Sequence, residues 1–172
     1  MNETWQEHIE AGNEAFENGR YADAERMFGL AMEEAERFGD KDPRLALTLN
    51  NFAALCHSQG KYSMAEELYK RSLAIKEQIL GPEHLDVAVN LHNLAVLYSA
   101  KRRFKEAEPL YLRSLEIRER VSGSEHPDLV PVLKNYALLL RRTGREPEAQ
   151  SLERRIESIL VRTDKPGDQS RA

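Results

Sequence analysis

Residues 81–121 read GPEHLDVAVNLHNLAVLYSAKRRFKEAEPLYLRSLEIRERV, and two apolar stripes within them decide the fold. At about 100° per residue, Leu91, Leu94, Ala95 and Tyr98 share one helix face, and Ala107 and Tyr111 share another. Helices are therefore predicted over about 86–100 and 104–121, with KRRF as the turn between them. The pattern extends in both directions. Gly39, Gly81 and Gly123 stand 42 residues apart, as do Ala65, Ala107 and Ala149, while Ala24 lies 41 before Ala65. Four helix-turn-helix units follow, at about 4–39, 42–81, 84–123 and 126–161, in a single all-α array over residues 1–162. The tail TDKPGDQSRA, 163–172, has no apolar anchor and is expected to be disordered.

Helix ends are marked by residues suited to them. Asp42, His84 and His126 hold one repeat position, each just before a first turn, with Pro43 and Pro127 following at the first helical residue. Thr4 and Glu7 have the spacing of a capping box. The glycines at 39, 81 and 123 mark the ends of second helices. In the last unit EPEAQSLERRIESIL keeps Leu152, Ile156, Ile159 and Leu160 on one side and its charges elsewhere, which suits a polar helix closing a stack.

Composition narrows the function. A 172-residue chain that is 41% hydrophobic can bury a sizeable core. A net charge of −4, with 31% charged residues of both signs, describes a solvated surface and not a field built for nucleic acid. Cys56 is the only cysteine, which excludes an intrachain disulfide and fits a reducing compartment. The start MNETWQEHIE has neither region of a signal peptide, and no apolar run approaches membrane-spanning length, so a cytoplasmic protein without a membrane partner is expected.

A period of forty-odd residues also suits HEAT or armadillo arrays, and the spacing inside the unit separates them. Leu91-x2-Leu94-Ala95-x2-Tyr98 with Ala107-x3-Tyr111, and Leu49-x2-Phe52-Ala53-x2-Cys56 with Ala65-x3-Tyr69, resemble the tetratricopeptide repeat. Unit one keeps Gly12, Ala24 and Phe28, with His8 and Ala15 at two large positions. Unit four keeps Leu133, Tyr136, Ala137 and Ala149 but has Glu153 at the aromatic site. The 42-residue form is similar to the repeats of kinesin light chains and their bacterial relatives. That resemblance implies a right-handed α-α superhelix, a tetratricopeptide solenoid whose first helices line a concave groove for peptides. It also implies that asparagines placed like Asn51, Asn93 and Asn135 hold the backbone of a ligand.

The asparagines can be weighed from the residues alone. Asn93 lies opposite its helix's core stripe, beside Val89 and Val96; the matching wall carries Leu47, Asn51 and Ala54 in unit two and Pro131, Asn135 and Leu138 in unit four. A helix that is apolar nearly all round is not an ordinary surface helix, so a cover for this wall is expected. An extended peptide needs its backbone groups paired, and an asparagine amide offers both donor and acceptor. The candidate groove residues are Asn51, Asn93 and Asn135 with Asn50, His57, Val89, His92, Val96, Lys134 and Arg141. Alternatively, each amide bonds the neighbouring repeat and stiffens the stack. Charge changes along the wall, from Glu10 and Glu17 in unit one to Lys134, Arg141 and Arg142 in unit four. Lys101, Arg102, Arg103 and Arg145, in the turns, extend a basic zone that is either a solvated edge or a seat for an acidic ligand segment.

Chemistry finds little support. His84 and His126, in PEHLD and SEHPD, are accounted for by helix starts, while His57 and His92 lack a paired cysteine, an HExxH pattern or convergent carboxylates. No catalytic residue, metal site or cofactor is expected. Cys56 occupies the core position of Tyr98 and should be a buried thiol, and Trp5 should pack as a cap over the open end of the stack. The function expected is a non-catalytic interaction module that holds an extended segment of a partner protein. The alternative is a homo-oligomerising scaffold whose apolar wall is covered by a second copy.

Overall fold

The computed structural model describes residues 2–163. The tail expected to be disordered lies outside them, except for Thr163, which ends the last helix. Eight α-helices are arranged as four antiparallel pairs: α1 (Asn2–Glu17) with α2 (Tyr21–Arg37), α3 (Pro43–Ser58) with α4 (Tyr62–Leu80), α5 (Leu85–Ala100) with α6 (Phe104–Ser122), and α7 (Val130–Arg142) with α8 (Glu146–Thr163). Each second helix also packs on the first helix of the next pair. Among the described residues, the backbones of successive first helices approach closely, α1 to α3 to α5 to α7, whereas successive second helices stand further apart and meet through long side chains, as in the ion pairs Arg71–Glu36, Arg113–Glu77 and Arg155–Glu119. The first helices therefore form the inner wall of a curved stack. None of the described helices is long and apolar enough to cross a membrane.

The helix starts at one repeat position are capped by side chains. Asp42 Oδ1 accepts from Arg44 N–H at 2.9 Å, His84 Nδ1 from Asp86 N–H at 3.1 Å, and His126 Nδ1 from Asp128 N–H at 3.3 Å. Each satisfies one of the amides that a helix start leaves unpaired. Two details differ from the sequence-based expectation. Thr4 is not a cap, because α1 already begins at Asn2 and encloses it. The last first helix opens with a 3-10 turn, Pro127–Leu129, since Pro131 has no N–H to give Pro127 O and the Val130 N–H takes that carbonyl instead.

The core runs as a column between the two helix rows. Ala24, Ala65, Ala107 and Ala149 are all fully buried where paired helices cross. In unit one Gly12 takes the place of Ala53, Ala95 and Ala137, and a Cβ there would lie 2.6 Å from the Phe28 ring. Ser72 and Ser114 tie the pairs further, each hydroxyl donating at 2.7 Å to a carbonyl of the partner helix, Ala46 O and Ala88 O. Cys56 is a buried free thiol, and burial pushes its pKa up. Trp5 does not cap the open end of the stack. Its indole N–H reaches across to Thr48 Oγ1 of the second unit at 3.0 Å, and so ties α1 to α3.

Where the other three units place Phe28, Tyr69 or Tyr111, the last places Glu153, which holds Arg141 at 2.8 Å. An ion pair with both side chains about two-fifths exposed replaces a buried ring there. In the same helix Ile156 and Ile159 are buried, but Leu160 is 41% exposed.

Candidate functional site

The inner wall is lined by the side chains that point away from each first helix's core stripe. Leu47, Pro131 and Leu138 are exposed on it, and Ala54, Val89 and Val96 are half-buried. Asn50, Asn51, Asn93 and Asn135, all half-buried, run along the same wall. A concavity near its fourth-unit end is lined by His57, Val96, Tyr111, Asn135, Leu138 and Arg142 among others. The wall thus brings together the candidates at 57, 96 and 135, with Asn93 and His92 on the helix between.

The asparagines form a ladder between repeats. Asn51 Nδ2 donates to Asn13 Oδ1 at 3.0 Å, Asn50 Nδ2 to Asn51 Oδ1 at 3.2 Å, and Asn93 Nδ2 to Asn50 Oδ1 at 3.2 Å. Asn135 Nδ2 lies 2.8 Å from His92 Nε2. Each of the three recurring amides therefore spends its NH2 group on the preceding repeat. Among the described residues nothing donates to the side-chain carbonyls of Asn93 and Asn135. Asn13 was not singled out in the sequence because it stands at the repeat position of Ala54, Val96 and Leu138, where the other units carry no asparagine. Asn90, also passed over, is the asparagine that is fully buried, and it donates to Tyr69 O at 3.2 Å. Alternation along a helix distinguishes Asn90 from Asn93 only once the neighbouring repeat is in place.

Burial, and then the Arg118 charge, bring the pKa of His92 down to about 4, so the ring is neutral at pH 7 and Nε2 accepts from Asn135. Burial lowers His57 in the same direction. A histidine whose folded pKa lies below its unfolded value of 6.5 takes its proton first in the unfolded chain, so acid favours unfolding. Stability should fall as pH drops from about 6.5 towards 4, and His92→Gln should make that fall shallower. Equilibrium denaturation at several pH values across this window measures the slope; an unchanged slope in the variant contradicts the assignment.

The basic zone is narrower than the sequence suggests. Lys101 Nζ and Arg103 Nη1 both sit 2.6 Å from Glu66 Oε2, and Arg103 also holds Glu106. Arg145 is bound to Glu108 and Glu148, and Arg141 to Glu146 and Glu153. The carboxylates of Glu25, Glu66 and Glu108 stand at one repeat position and reach the turn of the following repeat through Lys61, Arg103 and Arg145. These ion pairs staple repeat to repeat. Among the described residues Arg102, Lys134 and Arg142 form no ion pair, and all three are exposed. No group of three or more metal-ligating side chains occurs among the described residues.

A profile of the tetratricopeptide repeat matches residues 11–78, 65–120 and 86–160. No curated protein matches the chain. Solved structures do. BtubC (BKLC) from P. vanneervenii superimposes with a TM-score of 0.83 at 24% identity over 94% of this chain, which spans 65% of that protein. The nearly identical TPR-like repeats of a kinesin light chain from Podosopora anserina give 0.75 at 23% identity, covering 94% of this chain and 77% of that one. MamA gives 0.68 at 12% identity over 92% of this chain and 80% of its own. Four stacked helix pairs, small residues at their crossings, an inner wall of first helices and a profile match over most of the length make one conclusion plain: the chain belongs to the tetratricopeptide repeat family.

Proposed function

We propose that this protein is a non-catalytic interaction module whose inner wall holds an extended segment of a partner protein. Solenoids of this kind present extended concave surfaces for binding. The observation that carries the proposal is the half-used amide row. Among the described residues, Asn93 and Asn135 offer unbonded carbonyl oxygens to backbone N–H groups, on a wall where Leu47, Pro131 and Leu138 are exposed and no described helix lies over them. Lys134 and Arg142, exposed and without internal partners among the described residues, favour a segment that is acidic at the fourth-unit end.

Asn93→Ala and Asn135→Ala should each cost less than about 1 kcal/mol of stability, because alanine's better helix propensity offsets part of the lost ladder bond. Binding of the partner captured from the native host should weaken by up to roughly tenfold per lost backbone hydrogen bond. Melts lowered by about 1–3 kcal/mol with unchanged binding would instead make the row a purely structural device. The exposed leucines also fit the second reading, a wall covered by another copy of the chain. Light scattering over a concentration series separates them: a constant monomer leaves the wall open to a partner, and a constant dimer does not.

A further inference from the structure

Among the described residues Arg102 is the one non-glycine with positive φ, at 58°. Its counterparts in the other three units are Gly19, Gly60 and Gly144, with φ of 70°, 74° and 78°. A Cβ at any of those glycines would have open space around it, so the backbone conformation alone calls for glycine there. Unit three thus holds a branched-off, charged side chain in a strained left-handed turn where glycine would serve the fold better. Strain retained against such an obvious alternative is a pointer to function.

The surroundings say what function. Lys101 and Arg103, on either side of Arg102, are both held by Glu66. Arg141 and Arg145 each take two carboxylates. Arg102 and Arg142 are passed over, and the two line one open cavity with Ala100 and Phe104. Among the described residues no acidic side chain lines it. Ala100 and Arg142 also line the concavity on the inner wall, so the cavity continues from the groove over its lip. Two arginines that line one space and form no ion pair among the described residues are suited to a dianion. A phosphate monoester carries nearly two charges and three acceptor oxygens, enough for both forks, whereas a carboxylate carries one charge. Phe104 and Ala100 add an apolar wall for the group that bears the ester.

We infer that Arg102 and Arg142 form a phosphate-monoester site at the lip of the groove, and that it takes a phosphorylated aromatic side chain of a partner segment. Phenyl phosphate is the probe, titrated into the isotope-labelled full chain in phosphate-free buffer and followed by amide NMR shifts, with inorganic phosphate and phenylacetate as comparisons. Phenyl phosphate should cause saturable shifts at residues 100–104 and 142, and bind about tenfold more weakly to Arg102→Gly and to Arg142→Ser, as loss of one charged hydrogen-bonding fork implies. Arg102→Gly should at the same time melt at a higher temperature, since glycine adopts this φ freely and three of the four units already use it. A side chain in that turn without a ligand gives the rise in melting temperature and no loss of binding, which overturns the assignment. Phenylacetate binding as tightly as phenyl phosphate also overturns it. Inorganic phosphate binding as tightly as phenyl phosphate overturns the aromatic side-chain source.

Discussion

Replacing Glu66 by Gln is expected to destabilise the protein by about 2–4 kcal/mol, more than the same change at Glu108, and far more than at Glu25. The three carboxylates share a repeat position but not an environment. Glu66 is 14% exposed, takes Lys70, Lys101 and Arg103 within 2.7 Å, and accepts from Tyr98 Oη at 3.2 Å. Glu108 is 27% exposed and holds Arg145 and Tyr136 Oη. Glu25 is 41% exposed, with Lys61 as its ion-pair partner. Removing one member of an enclosed charge cluster leaves the others uncompensated, which costs about 3–5 kcal/mol when burial is complete and under about 1 kcal/mol at the surface. Denaturant midpoints of the three variants measure the order, and a Glu25 variant as damaged as the Glu66 variant refutes it. The same site sets an acid limit. Burial by itself would raise the pKa of Glu66, but hydrogen bonds from Lys101, Lys70 and Arg103 override it and bring the carboxyl to about 2. With a folded pKa below the unfolded 4.5, its contribution is complete above pH 4.5 and is lost as pH falls towards 2. In Glu66→Gln the loss of stability across that lower window should shrink.

Tyr111→Ala should cost about 3–5 kcal/mol, lowering the thermal midpoint by roughly 10 °C in a chain of this size. Tyr111 is 1% exposed, stacks on Tyr136 with ring centres 5.9 Å apart, and lies 5.9 Å from the His92 ring. It fills the junction of units three and four beneath the groove concavity, which it also lines. Tyr111→Phe keeps the ring and gives up a 3.3 Å contact with Ser99 Oγ, so its cost should stay near 1 kcal/mol or less. Glu153→Ala, at the same repeat position in the last unit, should cost under about 1 kcal/mol because its ion pair with Arg141 is exposed. Calorimetric melts of the three give the comparison; a Tyr111→Ala melt within a degree or two of the unaltered protein would show that the junction repacks around the missing ring.

Most of the architecture was legible in the sequence, because it rests on interactions that span a turn or two of helix. The stripe of Leu91, Leu94, Ala95 and Tyr98, the caps at Asp42, His84 and His126, and the glycines after second helices each act within a few residues. Repetition then let each unit vouch for the next, which is why one stretch of 41 residues was enough to reveal an array of helix pairs. Local rules failed at Thr4, which α1 encloses, and where Pro131 withheld an N–H from the first turn of α7.

The candidate site was legible only in outline. Spacing placed Asn51, Asn93 and Asn135 opposite the core, and there they are. Their partners, however, lie 38 or 43 residues back, on helices whose approach is set by the curvature of the whole stack. The same holds for charge. In the sequence Lys101, Arg102 and Arg103 are three adjacent cations, indistinguishable by composition or helical spacing. Packing brings the carboxylate of Glu66 from 35 to 37 residues upstream against the first and third, and leaves the second facing open space beside Arg142. The sequence alone determined the repeat, its helices and its inner wall, since those follow from hydrophobic periodicity along a single chain. Which amides and which cations remain available to a partner was decided by the tertiary structure, because pairing between repeats depends on distances that only the stacked helices create.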